Sequence, residues 1–433
     1  MFTSLLSSWT IFFGLSLIMV GNGMQQVLLA LRATEAGYSN LMAGVMLGGY
    51  FLGLFLGSIF VPRLLGNVGH IRIFGALAAV ASAAVLVHVM YEDPFLWAVL
   101  RVASGVAYAG MYIIVESWLN DKATNETRGQ ILSIYMIITM ASLGAGQMLT
   151  GLDDGQSLTL FLLASVLVSI AVVPILVTAA RAPDFSEPER ISLRRAYEIS
   201  PLAVVGMLLQ GLSAAMLFGM GPVYGNRIGL SAAEVSIFMA ATNVGVLLLQ
   251  YPLGRLSDRL DRRIVIGITA GLAGVVACLA ALVDASNFWL LILVIIGYGG
   301  LNLTMYSLFL AHANDYLTPS QMVSTASALI MVNGMGAVVG SPLVAGMMDI
   351  FGNMAYFLML GLSNFIVFGF ALIRMMMRAP VPAEAQGPFV AMPEAGTATA
   401  VALNPEAAWE EETGSPEAEP DPLEDNPYFP TAS

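Results

Sequence analysis

Charge is scarce in this chain of 433 residues. Asp, Glu, Lys and Arg make up 11% of it, where a soluble globular domain carries about 25%. With 58% hydrophobic residues and a mean hydropathy of +0.80, that deficit excludes a water-soluble fold. Cysteine is limited to Cys278, which rules out an intramolecular disulfide. Histidine is limited to His70, His88 and His312, far apart in sequence, so no Cys/His cluster marks a metal site. No phosphate-cradling loop of the G-x-x-x-x-G-K-[ST] pattern occurs, which argues against ATP drive within the chain. No cluster of nucleophile, base or metal ligands stands at membrane depth, so neither an enzyme nor a cofactor is expected. The N-terminus lacks Lys and Arg before an apolar stretch that runs on to Leu31. That stretch is too long for a signal-peptide core and reads as a retained first helix.

What is present is a succession of apolar runs, each long enough for the roughly 20 residues that cross a hydrocarbon core. Twelve helices are expected near 8–31, 39–61, 71–91, 95–118, 130–151, 157–180, 201–224, 233–254, 264–284, 287–311, 322–348 and 353–375. The fold class is therefore an all-α membrane protein, since only helices or closed barrels satisfy every backbone polar group in lipid. One longer connection divides the chain into a six-helix bundle at 1–180, a loop at 181–200 and a second bundle at 201–378. Residues 379–433 hold eleven of the 29 acidic residues and no Lys or Arg. Rich in Pro, Ala and Glu, this tail cannot bury enough surface to fold alone and is expected to be a disordered extension. The remaining 18 acids face 17 bases, so the acidic pI says nothing about substrate charge.

Lys and Arg set the orientation. With both termini inside, the inner side holds Arg63, Arg72, Lys122, Arg128, Arg181, Arg190, Arg194, Arg195, Arg255, Arg259, Arg262, Arg263, Arg374 and Arg378, against Arg32 and Arg227 outside. An internal repeat runs through the two halves. Gly37-Tyr38-Ser39 aligns with Gly229-Leu230-Ser231 and Gly53 with Gly245, in one register; Tyr108, Gly110 and Ser117 align with Tyr298, Gly300 and Ser307 in another. Parallel repeats of this kind place two bundles about an axis along the membrane normal, with a pathway between them.

Between the eighth and ninth segments the chain reads Gly254-Arg-Leu-Ser-Asp258-Arg259-Leu-Asp-Arg262-Arg263. This resembles the G-x-L-x-D-R-x-x-R-R signature of the major facilitator superfamily, as does the 6+6 layout. The resemblance implies that Gly254, Asp258, Arg259, Arg262 and Arg263 form a cytoplasmic latch, with Arg128-Gly129 as its partner across the bundles. The matching positions of the first half, Pro62, Gly66, Asn67, Gly69, His70 and Ile71, keep a glycine but neither the acid nor the basic pair. In the fourth segment Arg101-Val-Ala-Ser-Gly105 resembles the R-x-x-x-G element that superfamily members carry there, often linked to proton coupling. Glu116-Ser-Trp118-Leu-Asn120, Gly69-His-Ile-Arg72 and Gln250-Tyr-Pro252 together are similar to a YcaD-like bacterial subgroup.

Glu116 and Arg101 are the only carboxylate and guanidinium in the body of any segment. A charge at bilayer depth costs about 2.5–3.5 kcal/mol on insertion scales, so it faces a partner or a watery cavity. Arg101, Gly105, Tyr108, Tyr112 and Glu116 fall within an arc of about 80° on the fourth helix. Glu116 and Arg101 lie about 22 Å apart along it, too far to pair. Both are candidates for proton coupling. Asn22, Gln25, Gln26, Tyr108, Tyr112, Gln210, Tyr298, Asn302 and Tyr306 are candidates for the cavity wall; the alternative for each is interhelical hydrogen bonding. The expected function is a secondary transporter of a small solute, working by alternating access in the bacterial inner membrane. It is expected to be coupled to protons, to export rather than import, to act as a monomer in the lipid bilayer, and to bind no nucleic acid. The alternative is a non-transporting sensor or scaffold on the same fold, with the acidic tail as its output.

Overall fold

The computed structural model describes residues 2–124, 126–152, 158–178, 191–382, 385–394 and 396–407. Six long helices form the first bundle: α1 (Phe2–Glu35), α2 (Asn40–Val68), α3 (His70–Met90), α4 (Pro94–Asp121), α5 (Arg128–Leu149) and α6 (Leu158–Thr178). A short α7 (Leu193–Ile199) follows. The second bundle comprises α8 (Pro201–Arg227), α9 (Ala232–Ser257), α10 (Arg262–Ala280), α11 (Phe288–Asn314), α12 (Met322–Phe351) and α13 (Ala355–Met377), and a single turn, α14 (Ala398–Val401), is the last helix among the described residues. Among the described residues there is no β-strand, and twelve helices are long and apolar enough to cross a membrane. Of the expected inter-bundle loop, 181–190 lies outside the described residues, and Ser192 caps α7 by accepting the Arg195 N–H.

The repeat seen in sequence is carried in backbone geometry. Gly37 and Gly229 both take positive φ, 75° and 91°, values that cost glycine little and other residues more. The serines that follow, Ser39 and Ser231, cap α2 and α9 by accepting the N–H of Met42 and Glu234. Gly53 and Gly105 face each other where α2 crosses α4, as Gly245 and Gly300 do where α9 crosses α11. Large apolar side chains such as Val173, Val177, Leu248, Leu272 and Trp289 point outward. An apolar exterior of this extent is the surface that lipid covers.

The two bundles meet at the face opposite the arginine-rich one. There the Asp349 carboxylate of α12 accepts the backbone N–H groups of Asn40 (3.3 Å) and Leu41 (2.9 Å) at the start of α2. A carboxylate is favoured at a helix N-terminus by the unpaired N–H groups and the helix dipole. Arg227 reaches across to the Tyr38 carbonyl, and Thr150 pairs with Ser236 at 2.6 Å. Deeper in, Gly44 packs directly on Ser341 and Ala345. Asp349→Ala is expected to loosen this seal. In a Cys278→Ala background, a cysteine at Gln26 should then react several-fold faster with an impermeant thiol reagent added from the opposite face.

Candidate functional site

A cavity lies between the bundles, on the arginine-rich side of that seal. Its wall is mostly aliphatic and aromatic, from Met19, Phe51, Leu54, Ile113, Met140, Phe218, Ile330 and Met331. Polar groups enter from Asn22 and Gln26 of α1, Tyr50 of α2, Tyr112 of α4, Gln250 of α9 and Asn333 of α12. An apolar wall with a few placed polar groups is the usual make-up of a small-molecule site.

The polar groups are organised from behind. The Asn22 amide donates to the hydroxyls of Tyr50 and Tyr112, both at 2.9 Å, and the Gln25 amide donates to Tyr108 at 2.9 Å. The Arg101 guanidinium stacks over the Tyr50 ring, 4.4 Å from its centre, in a buried position. A cation on an aromatic face regains part of the attraction lost with water. A second chain of amides crosses between the bundles: Asn243 of α9 donates to Gln147 of α5 at 2.9 Å, and Gln147 donates to Gln26 at 3.3 Å.

Glu116 is fully buried near the arginine-rich end of α4. Tyr135 of α5 donates to Oε1 at 2.7 Å. The other donors come from the tail: the Thr397 N–H reaches Oε1 at 3.1 Å, and the Thr397 hydroxyl bonds Oε2. Among the described residues Glu116 has no ion-pair partner, so its neighbours offer hydrogen bonds rather than positive charge. Neither Glu116 nor Arg101 is on the cavity wall itself; Glu116 lies behind Thr397, which is, and Arg101 behind Tyr50.

The remaining sequence candidates divide. Asn22, Gln26 and Tyr112 line the cavity, while Gln25 and Tyr108 stand behind the wall. Tyr298 and Asn302 accept from the Asn364 amide at 3.2 and 3.1 Å, a network packed between α11 and α13. Tyr306 is buried with its hydroxyl unmatched among the described residues. Gln210 donates to Glu394 of the tail at 3.4 Å. Tyr50, Gln147, Asn243, Tyr135 and Asn333 are added by the structure. The intramembrane amides among them obey the same rule that singled out Asn22, that a polar side chain in an apolar helix seeks a partner.

The signature loop is tied to its own bundle and to the tail. Arg262 donates to Asp315 at 2.7 Å, to the Ala311 carbonyl at 2.8 Å, to Asp258 at 3.3 Å and to the Gly387 carbonyl at 2.8 Å. Asp258 also accepts the Phe389 N–H at 2.7 Å. Arg263 pairs with Asp261 at 2.7 Å, and Arg128 is buried at the start of α5. Gly254 lies against the Phe389 ring, whereas the first-half Gly66 has open space where a Cβ would stand. Asp258→Ala is therefore expected to change transport several-fold, and Gly66→Ala to leave it near wild type. Equal effects in one flux assay would contradict that asymmetry.

The expected disordered tail divides in two. Residues 408–433 lie outside the described residues. Residues 385–394 and 396–407 turn back into the molecule, and Met392, Glu394 and Thr397 help to line the cavity. This segment could not fold alone, but it does not need to, because the bundles supply its partners.

A profile of the Major Facilitator Superfamily matches residues 11–202 and 203–416. The chain is 26% identical over 385 residues to an MFS-type transporter of Yersinia enterocolitica, covering 88% of this chain and 97% of that one. It is 24% identical over 357 residues to the MFS-type transporter YcaD of Escherichia coli, covering 82% and 92%. Among solved structures, a mutant of the nucleoside transporter NupG superposes with a TM-score of 0.71 at 14% identity, over 86% of this chain and 99% of that one. A bacterial homolog of the human lysosomal transporter Spinster, inward-facing and unoccupied, gives 0.67 at 14% identity, over 93% and 97%. Two matched bundles around a sealed inter-bundle cavity, with these relatives, place the chain in the major facilitator superfamily, as a multi-pass inner-membrane transporter of its YcaD-like group.

Proposed function

We propose that this transporter is a secondary, proton-coupled carrier of a small solute, that it works by alternating access, and that Glu116 carries the proton. The observation that bears most weight is Glu116 itself. It is a carboxyl buried within a membrane-spanning helix, with no ion-pair partner among the described residues, and ionisable side chains so placed are the ordinary members of proton relays through membrane proteins. Tyr135 keeps it in place from α5, so proton loss and gain can be felt by two helices of one bundle. The Lys and Arg distribution supports cytoplasmic termini and hence a cavity on the cytoplasmic side, an inward-facing form. Export is the proposed direction, on the resemblance to the YcaD-like group alone. The wall supports a neutral or weakly basic solute with a substantial apolar part, since its polar groups are amides, phenols and hydroxyls, with Glu394 of the tail the one carboxyl among them.

The test is release of a pH gradient in everted membrane vesicles across a panel of neutral and weakly basic metabolites and drugs. At least one compound should discharge the gradient with the wild-type chain and not with empty membranes. Discharge equal to that of empty membranes across the panel, with labelled compounds also failing to move, would overturn the reading. The sensor alternative gains interest because the tail reaches the cavity. It predicts that removing the tail abolishes output, whereas a carrier keeps its flux.

A further inference from the structure

The tail makes its contacts in sequence order across the gap between the bundles. At its start, Gly387 and Phe389 are held by Arg262 and Asp258 of the second bundle. Next, the Met392 N–H donates to the Ser307 hydroxyl at 2.9 Å and its carbonyl accepts from the same hydroxyl at 3.1 Å. Then Thr397 meets Glu116 of the first bundle. Finally α14 packs on α4 and α12, and Pro405 rests on Gly129 at the head of α5. Met392, Ala400, Val401 and Leu403 are buried in the same apolar core as α1, α4 and α11. Burial pushes the Glu394 carboxyl up to about 8, against the hydrogen bond from Gln210, so the docked acid keeps its proton near neutral pH.

We propose that residues 385–394 and 396–407 are a built-in plug, which fills the cytoplasmic mouth of the cavity, covers the Glu116 carboxyl, and holds the inward-facing form until it is released. This rests on the transport reading above for its consequence, but not for its seating. Closing the cytoplasmic side requires the α4–α5 end of one bundle to approach the α11–α12 end of the other, the helices that face the cavity. The plug stands between them, bonded to both. Its side of the Glu116 site offers one N–H and one O–H, both from Thr397, which close over the carboxyl from the cavity side. Access of water and protons to that carboxylate therefore requires the tail to leave.

Seating is tested first, by labelling. In full-length Cys278→Ala chain carrying Ser327→Cys on the cavity wall, an impermeant maleimide is added to everted vesicles. Adding Met392→Asp and Thr397→Pro, which put a charge in an apolar seat and remove both Thr397 donors, should raise the labelling rate about tenfold. These substitutions lie outside the bundles, so the protein should remain folded, as detergent-solubilised size-exclusion profiles would confirm. Unchanged labelling overturns the proposal. The consequence is tested with Ser307→Cys and Met392→Cys in the same background. Oxidation should cross-link the pair and cut solute flux about tenfold, and reductant should restore it. Flux that continues undiminished through the cross-linked chain also overturns the plug. Labelling that rises as expected, in a chain that moves no solute with its tail released, leaves the seating standing and contradicts the transport reading instead.

Discussion

Glu116→Gln is expected to abolish solute-driven proton movement while sparing the fold. Glutamine is close to the same size and can still accept from Tyr135 and Thr397 through its carbonyl oxygen, so the three-way contact at the end of α4 survives. What it cannot do is take up and give back a proton. Coupling between two sites is commonly worth about 1–3 kcal/mol, or about 5–150-fold, and solute-driven proton release should fall by at least the lower figure. Solute exchange down its own gradient should persist, because the Asn22–Tyr50–Tyr112 wall is untouched. Glu116→Ala would separate the two effects. It leaves the Tyr135 hydroxyl buried without its acceptor, at a cost of about 1–3 kcal/mol. Loss of expression with alanine but not glutamine would mark the structural share of Glu116. A glutamine variant that releases protons at the wild-type rate would remove it from the coupling mechanism.

Gly53→Val or Gly105→Val should cost the protein its first bundle. A Cβ on Gly53 would lie 2.2 Å from the Val102 carbonyl oxygen, and one on Gly105 would lie 2.1 Å from that of Tyr50. The obstruction is backbone on both sides, so no side chain can swing away, and α2 and α4 must separate along their whole crossing. Overpacking a well-filled core costs about 1–3 kcal/mol and occasionally more. Here the shift would also drag Tyr50 away from Asn22 and Arg101. The repeat extends the prediction to Gly245→Val, whose Cβ would stand 2.0 Å from the Ile296 carbonyl oxygen. Gly66→Ala is the matched control, having nothing within 4 Å. Thermal stability of the detergent-solubilised variants checks all four, with the three crossing glycines expected to lower Tm and Gly66 to leave it unchanged.

Much of the fold was legible because membrane helices announce themselves by length and apolarity, and because turn glycines and capping serines recur at Gly37–Ser39 and Gly229–Ser231. The site was legible where a polar residue interrupts an apolar helix, as Asn22, Gln26, Tyr112 and Glu116 do. Tyr50 was missed because it sits in a glycine-rich run where an aromatic ring reads as packing or lipid contact. Gln147 and Asn243 needed knowledge of which helices cross, since neither explains the other until α5 meets α9. Tyr298 and Asn302 carry the same polar signal as the wall residues, yet they face Asn364 within one bundle. Periodicity marks the polar stripe of a helix without saying whether a cavity or another helix lies against it. Residues 385–407 were the least legible. Their composition describes what the segment can do alone, while its apolar partners and hydrogen-bond acceptors are scattered over α4, α9, α11 and the loop at Asp258.

The most direct measurement is simultaneous recording of labelled solute and internal pH in proteoliposomes holding the full-length protein, with an imposed pH gradient and a solute found in the vesicle screen. Solute should move against its own gradient as protons run down theirs in the opposite direction, and the two fluxes should vanish together in Glu116→Gln. Uphill solute movement that persists in Glu116→Gln, or solute flux indifferent to the pH gradient in the wild type, would contradict proton coupling through Glu116.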